Sequence, residues 1–149
     1  MKLTTFTDYA LRVLLYLGAA GGERATIARV AQAFDVSEHH LVKVVHFLGK
    51  QGWLANVRGK GGGLQLAQPA QCVRIGDVVR RCEGEATLAE CFSPGGGACC
   101  IARSCELRGV LAEAVAAFYA VLDHCTLADL LTNRDELAQI LFVEHAKVA

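Results

Sequence analysis

The sequence lacks a hydrophobic run long enough to cross a membrane, an export signal and a net charge. The apolar, uncharged runs at 13–22 and 114–122 fall well short of the roughly 18 residues that a spanning helix needs. Asp8 lies where a signal peptide would have its apolar core, and we find no small-residue cleavage site. Internal repeats and low-complexity tracts are also missing. We therefore expect a soluble protein that stays in the cytoplasm.

Apolar residues, by contrast, are abundant and make up 53% of the 149 positions. This composition excludes a disordered chain, and we expect part of the apolar surface to meet a second subunit. The zero net charge conceals an asymmetry. Residues 1–68 carry eight Lys or Arg against four Asp or Glu, a net of +4, whereas residues 69–149 carry seven against eleven, a net of −4. The N-terminal part is therefore the candidate for binding a polyanion.

Residues 1–68 have the pattern of a DNA-binding domain, a winged helix-turn-helix. Apolar residues at helical spacing predict three helices, at 7–20, 26–34 and 37–50. Thr5 and Thr7 are predicted caps of the first helix, and Ser37 is the predicted N-cap of the third. Two strands are predicted around a glycine-rich turn, at 53–57 and 64–67. The predicted fold class is mainly α, with a two-stranded wing.

Residues 69–149 are predicted to form one compact unit with the first part. A short helix is expected at 75–82, and the segment 83–104 lacks periodicity, so we expect a loop held in place by a ligand. A long C-terminal helix follows at 106–124, with a broad apolar face. At about 1.5 Å per residue it is about 28 Å long. This exceeds what so small a body can cover, so we predict a dimerisation helix.

The third predicted helix carries a polar stripe opposite its apolar face, formed by His39, Lys43, His46 and Lys50. Such a helix can pack on the first two while its N-terminal half enters the major groove. The side chains nearest the bases and phosphates would be Ser37, His39, His40 and Lys43. In the turn, Arg58 and Lys60 lie beside glycines that permit close approach to phosphate or the minor groove. A solvated helix or an ordinary hairpin explains each feature singly, but together they favour a nucleic-acid interface.

Seven cysteines, an odd number without an export signal, argue against a set of structural disulfides and leave metal binding or thiol chemistry. Cys91, Cys99 and Cys105 cluster in the irregular segment. Their spacing lacks the Cys-x2-Cys pair of zinc sites, so the thiolates favour an iron-sulfur cluster. Cys100 is adjacent to Cys99, and one of these two is a bystander. The other three are expected to be buried small hydrophobic residues: Cys72, Cys82 and Cys125.

Four segments resemble the Rrf-type family of winged-helix iron-sulfur regulators: TTFTDYAL at 4–11, VRGKGGG at 57–63, IGDVV at 75–79 and TLADL at 126–130. The resemblance covers nearly the whole chain and is with the nitric-oxide-sensing repressors of that family. It implies a homodimer that binds a double-stranded DNA operator while it holds a cluster. Nitric oxide would destroy the cluster and release the DNA. We expect a 4Fe-4S cluster, with 2Fe-2S as the alternative.

The resemblance also implies roles for individual residues. It makes Cys91, Cys99 and Cys105 cluster ligands, with Asp8 of the other subunit as the fourth ligand. From the residues alone, Asp8 is instead a capping acid in the pattern Thr5-x-x-Asp8. The resemblance places Ser37, His39 and Lys43 in the major groove and Arg58 in the minor groove.

Two other regulatory functions are kept as alternatives, a thiol-disulfide sensor and a sensor of iron-sulfur supply, although the second lacks the His that its relatives use. The cysteines could sense oxidants through disulfides, with Cys99 or Cys100 as the reactive thiol. Relatives that sense iron-sulfur supply place a His three residues after the last cysteine, where this chain has Arg108. We do not expect an enzyme, because no nucleophile and base can be placed in one pocket.

Overall fold

The computed structural model describes residues 2–59, 61–84, 89–92 and 99–142. Its helices are α1 (Thr5–Ala19), α2 (Ile27–Phe34), α3 (Glu38–Lys50), α4 (Ile75–Glu83), α5 (Glu106–Asp123) and α6 (Arg134–Leu141). Its strands are β1 (Leu54–Val57) and β2 (Gly63–Leu66), and short 3-10 helices occur at Ala70–Cys72, Glu90–Phe92 and Asp129–Leu131. Within these residues, no helix is long and apolar enough to span a membrane. The predicted winged helix-turn-helix is confirmed.

The turn between α2 and α3 depends on a left-handed residue, Asp35, with φ 50° and ψ 52°. Asp is one of the few residues besides glycine that adopts this conformation at modest cost. The Asp35 N–H donates to the carbonyl of Gln32, and the Val36 N–H donates to that of Ala31 at 3.0 Å. These bonds end α2 sharply, so only three residues separate α2 from α3.

The two wing strands pair antiparallel, with Leu54 opposite Leu66 and Val57 opposite Gly63. Ala25 also pairs antiparallel with β2, because Ala25 and Leu64 exchange two backbone hydrogen bonds, at 3.0 and 2.7 Å. The wing is therefore attached to the segment between α1 and α2 as well as to the end of α3.

The buried residues of the N-terminal and C-terminal parts form one hydrophobic cluster. Leu14, Leu41 and Leu48 from the winged helix belong to the same cluster as Val78 of α4 and Leu127. Leu127 is brought there because its N–H donates to the carbonyl of Val73, at 2.8 Å. The chain after α5 thus returns to the start of α4.

Candidate nucleic-acid interface and cysteine segment

Helix α3 has one buried and one exposed face, as predicted. Its buried residues recur at steps of three, one and three: Leu41, Val44, Val45 and Leu48. His39, Lys43, His46 and Lys50 are exposed on the opposite side. Ser37 occupies the N-cap position but makes no side-chain capping bond. Its hydroxyl is therefore not committed to holding the helix.

His40 is exposed but contacts helix α1. Its ring centroid lies 6.3 Å from that of Tyr9 and 6.2 Å from that of His39. The Arg12 guanidinium is in turn 5.9 Å from the centre of the Tyr9 ring. The start of α3 is thus in contact with the first turns of α1, where Asp8 lies.

The wing turn brings Arg58 to an exposed position directly after β1. Lys60 lies outside the described residues. The Gly62 N–H donates to the carbonyl of Gly59 at 2.9 Å, and a side chain at Gly62 would collide with the carbonyl oxygen of Val57. Glycine is therefore required at this point to close the turn.

Arg24 braces the wing turn from the segment before α2. Its guanidinium donates to the carbonyl of Gly61 at 2.9 Å and to the side-chain oxygen of Gln65 at 3.2 Å. The two bonds join Arg24 to the turn at Gly61 and to strand β2 at Gln65. Sequence reasoning missed Arg24, because it lies 37 residues from Gly61 and no local pattern connects them.

Asp8 does not cap α1, so the Thr5-x-x-Asp8 interpretation is wrong. The N-cap is Thr4, whose hydroxyl accepts from the Thr7 N–H at 3.3 Å. The predicted caps Thr5 and Thr7 are therefore also wrong, and the helix begins two residues earlier than expected. The Asp8 carboxylate instead pairs with Arg12, at 2.9 and 3.1 Å, and both side chains are partly exposed.

Glu83, the last residue of α4, binds the start of α1. One of its carboxylate oxygens accepts hydrogen bonds from the N–H and hydroxyl of Thr4, at 2.9 and 3.0 Å, and from the hydroxyl of Thr7, which is fully buried. Burial of the carboxylate raises its pKa, but these hydrogen bonds lower it by more, so the pKa of Glu83 lies below its usual value. The segment with the cysteines follows directly.

The three predicted cysteine ligands are free and half-buried. Cys91 lies in the 3-10 helix Glu90–Phe92, and Cys105 occupies the N-cap position of α5 without a side-chain capping bond. The Arg108 guanidinium lies 6.0 Å from the Phe92 ring centre, so the Cys91 segment contacts the first turn of α5. Among the described residues, no three His, Cys, Asp or Glu side chains are close enough to hold a metal ion.

The cysteines predicted to be buried, Cys72, Cys82 and Cys125, differ in exposure. Cys72 is exposed, so the prediction that it is buried is wrong; it lies in a 3-10 helix outside the core. Burial, with a smaller effect of Glu83, raises the pKa of Cys82 to about 11. Burial, with a smaller effect of Asp129, also raises the pKa of Cys125. Protonated thiols are poor ligands and nucleophiles, which agrees with a packing role for these two.

An ion pair fixes the end of α5 on α4. Arg80 donates to both carboxylate oxygens of Asp123, at 2.5 and 2.6 Å, and its guanidinium lies 4.4 Å from the Tyr119 ring centre. The hydrogen bonds raise the pKa of Arg80 and lower that of Asp123. A side chain at Gly76 would collide with the Asp123 carboxylate, so the helices approach closely here.

Comparison with known proteins identifies relatives over 95% of this chain. Residues 3–133 match the Rrf2 family, described as iron-dependent transcriptional regulators. The HTH-type transcriptional regulator NsrR of Geobacillus kaustophilus (strain HTA426) is 50% identical over 143 residues, which cover 95% of this chain and 97% of that protein. NsrR of Bacillus subtilis (strain 168) is 42% identical, with coverages of 95% and 97%. The crystal structure of Staphylococcus aureus CymR in its oxidized form has a TM-score of 0.70 at 27% identity and covers 89% of this chain and 97% of that one.

Proposed function

Because this chain belongs to the Rrf2 family of iron-dependent transcriptional regulators, we propose that it is a repressor that senses nitric oxide through an iron-sulfur cluster. It would release its DNA operator when that cluster is nitrosylated or lost. The observation that carries the proposal is the match to NsrR regulators over 95% of the chain. The free thiols of Cys91, Cys99 and Cys105 would supply donors that such a cluster needs.

The DNA contacts follow from the exposed face of α3 and from the wing. Ser37, His39, His40 and Lys43 lie at the N-terminal half of the helix, the part that reaches base edges in this class of fold. Arg58 would enter the minor groove or bind phosphate, and Lys60 would add a second cation. Arg24 would hold the turn in the conformation that presents them.

A second copy of this chain would cover the outer face of α5. Five apolar residues form an exposed stripe at alternating steps of three and four: Leu107, Val110, Ala114, Ala117 and Val121. Leu107 and Val110 are each 61% exposed and Val121 is 71% exposed. This spacing is that of helices packed side by side, and the alanines at its centre permit close approach. Two recognition helices would then face successive major grooves.

Cys91, Cys99 and Cys105 would hold the cluster, and Asp8 of the partner subunit would be the fourth ligand. Thiolates are soft donors suited to iron, and Cys105 occupies the N-cap position of α5 without a side-chain capping bond. When bound, a cluster supplies iron that reacts with nitric oxide. Arg12 already holds the Asp8 carboxylate and would orient it.

Loss of the Asp8 contact would reach the DNA through short side-chain links. Asp8 pairs with Arg12, Arg12 lies over Tyr9, and Tyr9 contacts His40 at the start of the recognition helix. From the other side, Glu83 joins the start of α1 to the end of α4. A change in either contact would shift α1 and with it α3.

Purification under nitrogen tests the proposal. We expect a coloured protein that contains iron and sulfide and binds a duplex selected from a random-sequence library. Cys91→Ser, Cys99→Ser and Cys105→Ser should each lose the cluster, whereas Cys72→Ser, Cys82→Ser, Cys100→Ser and Cys125→Ser should retain it. Full iron in Cys99→Ser with loss in Cys100→Ser would reverse the assignment of that pair.

A thiol-disulfide regulator is the second candidate, favoured by the exposed Cys100 next to Cys99 and by the similarity to CymR in an oxidized form. A colourless protein with reversible disulfides and no iron would support this function and exclude the first.

A further inference from the structure

Val42 is an exposed apolar side chain on an otherwise polar face. It is 52% exposed and lies in the N-terminal half of α3. His39 precedes it by one turn, His46 follows by one turn and Lys43 is adjacent, and all three are exposed. In the described part of the winged helix, residues 2–59 and 61–66, no other large hydrophobic side chain is as exposed. The described residues therefore leave about half of its surface uncovered.

The major groove contains one apolar group that such a side chain can recognise. All four bases present hydrogen-bond donors or acceptors at the groove edge, and thymine alone adds a methyl group, at its C5. Valine can form no hydrogen bond, so it cannot read the other bases directly. Burial against a methyl group is the favourable interaction left to it in that groove.

We propose that Val42 is a specificity-determining residue that contacts the 5-methyl group of a thymine in each half of the operator. The inference rests on the proposed DNA-binding function. It adds a base-reading role to a residue that the polar stripe does not include.

The local structure holds Val42 in a defined position. Four buried residues fix the rotation of α3 about its axis and leave Val42 at the surface: Leu41, Val44, Val45 and Leu48. The branched β-carbon leaves valine essentially one side-chain rotamer in a helix. Its methyl groups are therefore presented with little loss of entropy on binding.

Replacement of thymine by deoxyuridine tests this contact, because it removes only the 5-methyl group and keeps the base pair. The probe is the duplex that the anaerobically reconstituted protein selects from a random-sequence library, with each thymine replaced in turn. We expect one position in each half-site at which deoxyuridine weakens binding about three- to fivefold, the effect of about one buried methyl group. Val42→Ala should weaken binding of the unmodified duplex by a similar factor.

The decisive result is the combination of both changes. Deoxyuridine at that position should have little further effect on Val42→Ala but its full effect on His46→Ala, the matched variant one turn away. Iron content and circular dichroism of Val42→Ala should equal those of the parent. The inference is overturned if no deoxyuridine weakens binding, or if Val42→Ala stays as sensitive as the parent. If no duplex is selected, the DNA-binding function itself fails.

Discussion

The carboxylate of Glu83 accepts hydrogen bonds from both the N–H and the hydroxyl of Thr4, at 2.9 and 3.0 Å, across 79 positions of sequence. Thr4 is the N-cap of α1, so Glu83 places a negative charge where the helix dipole favours one. Glu83 also ends α4, and the cysteine segment begins just beyond it. One side chain thus links the helix that carries Asp8 to the segment that carries the thiols.

This link predicts a pH-dependent stability. The pKa of Glu83 lies below its usual value of 4.5 in the folded chain, so its contribution is complete above about pH 4.5 and is lost as pH falls through the depressed pKa. Near neutral pH, Glu83→Ala should lower the free energy of unfolding by about 1–2 kcal/mol, and Glu83→Gln by less, since its amide oxygen still accepts. Denaturant unfolding at several pH values measures the difference. A deficit of Glu83→Ala that does not shrink in acid would contradict the assignment.

Arg24 is predicted to position the wing rather than to bind phosphate. Gln65→Leu removes one of its two partners without changing charge and should weaken DNA binding about two- to tenfold, the effect of about one hydrogen bond. Arg24→Gln should also weaken binding, and neither variant should change the salt dependence. Arg58→Ala is the contrast, because loss of one phosphate contact should lower the salt slope by about one. The assignment is wrong if Gln65→Leu binds DNA as tightly as the parent and Arg24→Gln lowers the slope of the salt dependence. Arg24 would then be a phosphate ligand.

The exposed stripe on α5 is predicted to be the dimer interface. Ala114→Glu should place like charges together at its centre and weaken dimerisation about a hundredfold or more. Ala116→Glu introduces the same charge at an exposed position on the opposite side of α5 and should leave the dimer intact. Sedimentation equilibrium measures both. A dimer that tolerates Ala114→Glu would place the interface elsewhere.

Asp8 is predicted to couple the cluster to the DNA. Asp8→Ala should still assemble a cluster on three cysteines, but with altered nitric oxide reactivity and a smaller ratio of holo to apo DNA affinity. Asp8→Cys should react more slowly, because thiolate is a better ligand for iron than carboxylate. Asp77→Ala, which removes an exposed acid from the first turn of α4, is the control. If both Asp8 variants match the parent in nitric oxide reaction rate and in the ratio of holo to apo DNA affinity, Asp8 has no role beyond its ion pair with Arg12.

The sequence predicts the parts of the fold that depend on local periodicity. Apolar residues three or four positions apart predict the buried face of α3, and apolar residues two positions apart predict the wing strands. It does not predict the cap of α1, because Thr4, Thr5 and Thr7 are equivalent until the distant Glu83 selects Thr4. Its position in the first turn also suits Asp8 to capping, whereas the structure pairs its carboxylate with Arg12, one turn away. The exposure of Cys72 cannot be predicted from the sequence, because the 3-10 helix that contains it is too short to show a repeating pattern of apolar residues.

The most direct measurement of the central proposal records cluster and DNA together. Labelled selected duplex is bound by the anaerobically reconstituted protein, nitric oxide is added in steps, and visible absorption and fluorescence anisotropy are read from the same sample. We predict that the visible absorption and the bound DNA decline in parallel, and that Cys91→Ser protein binds weakly from the start and does not respond. DNA that stays bound after the absorption has changed completely, or equally tight binding by the cluster-free variant, would contradict a cluster-dependent repressor.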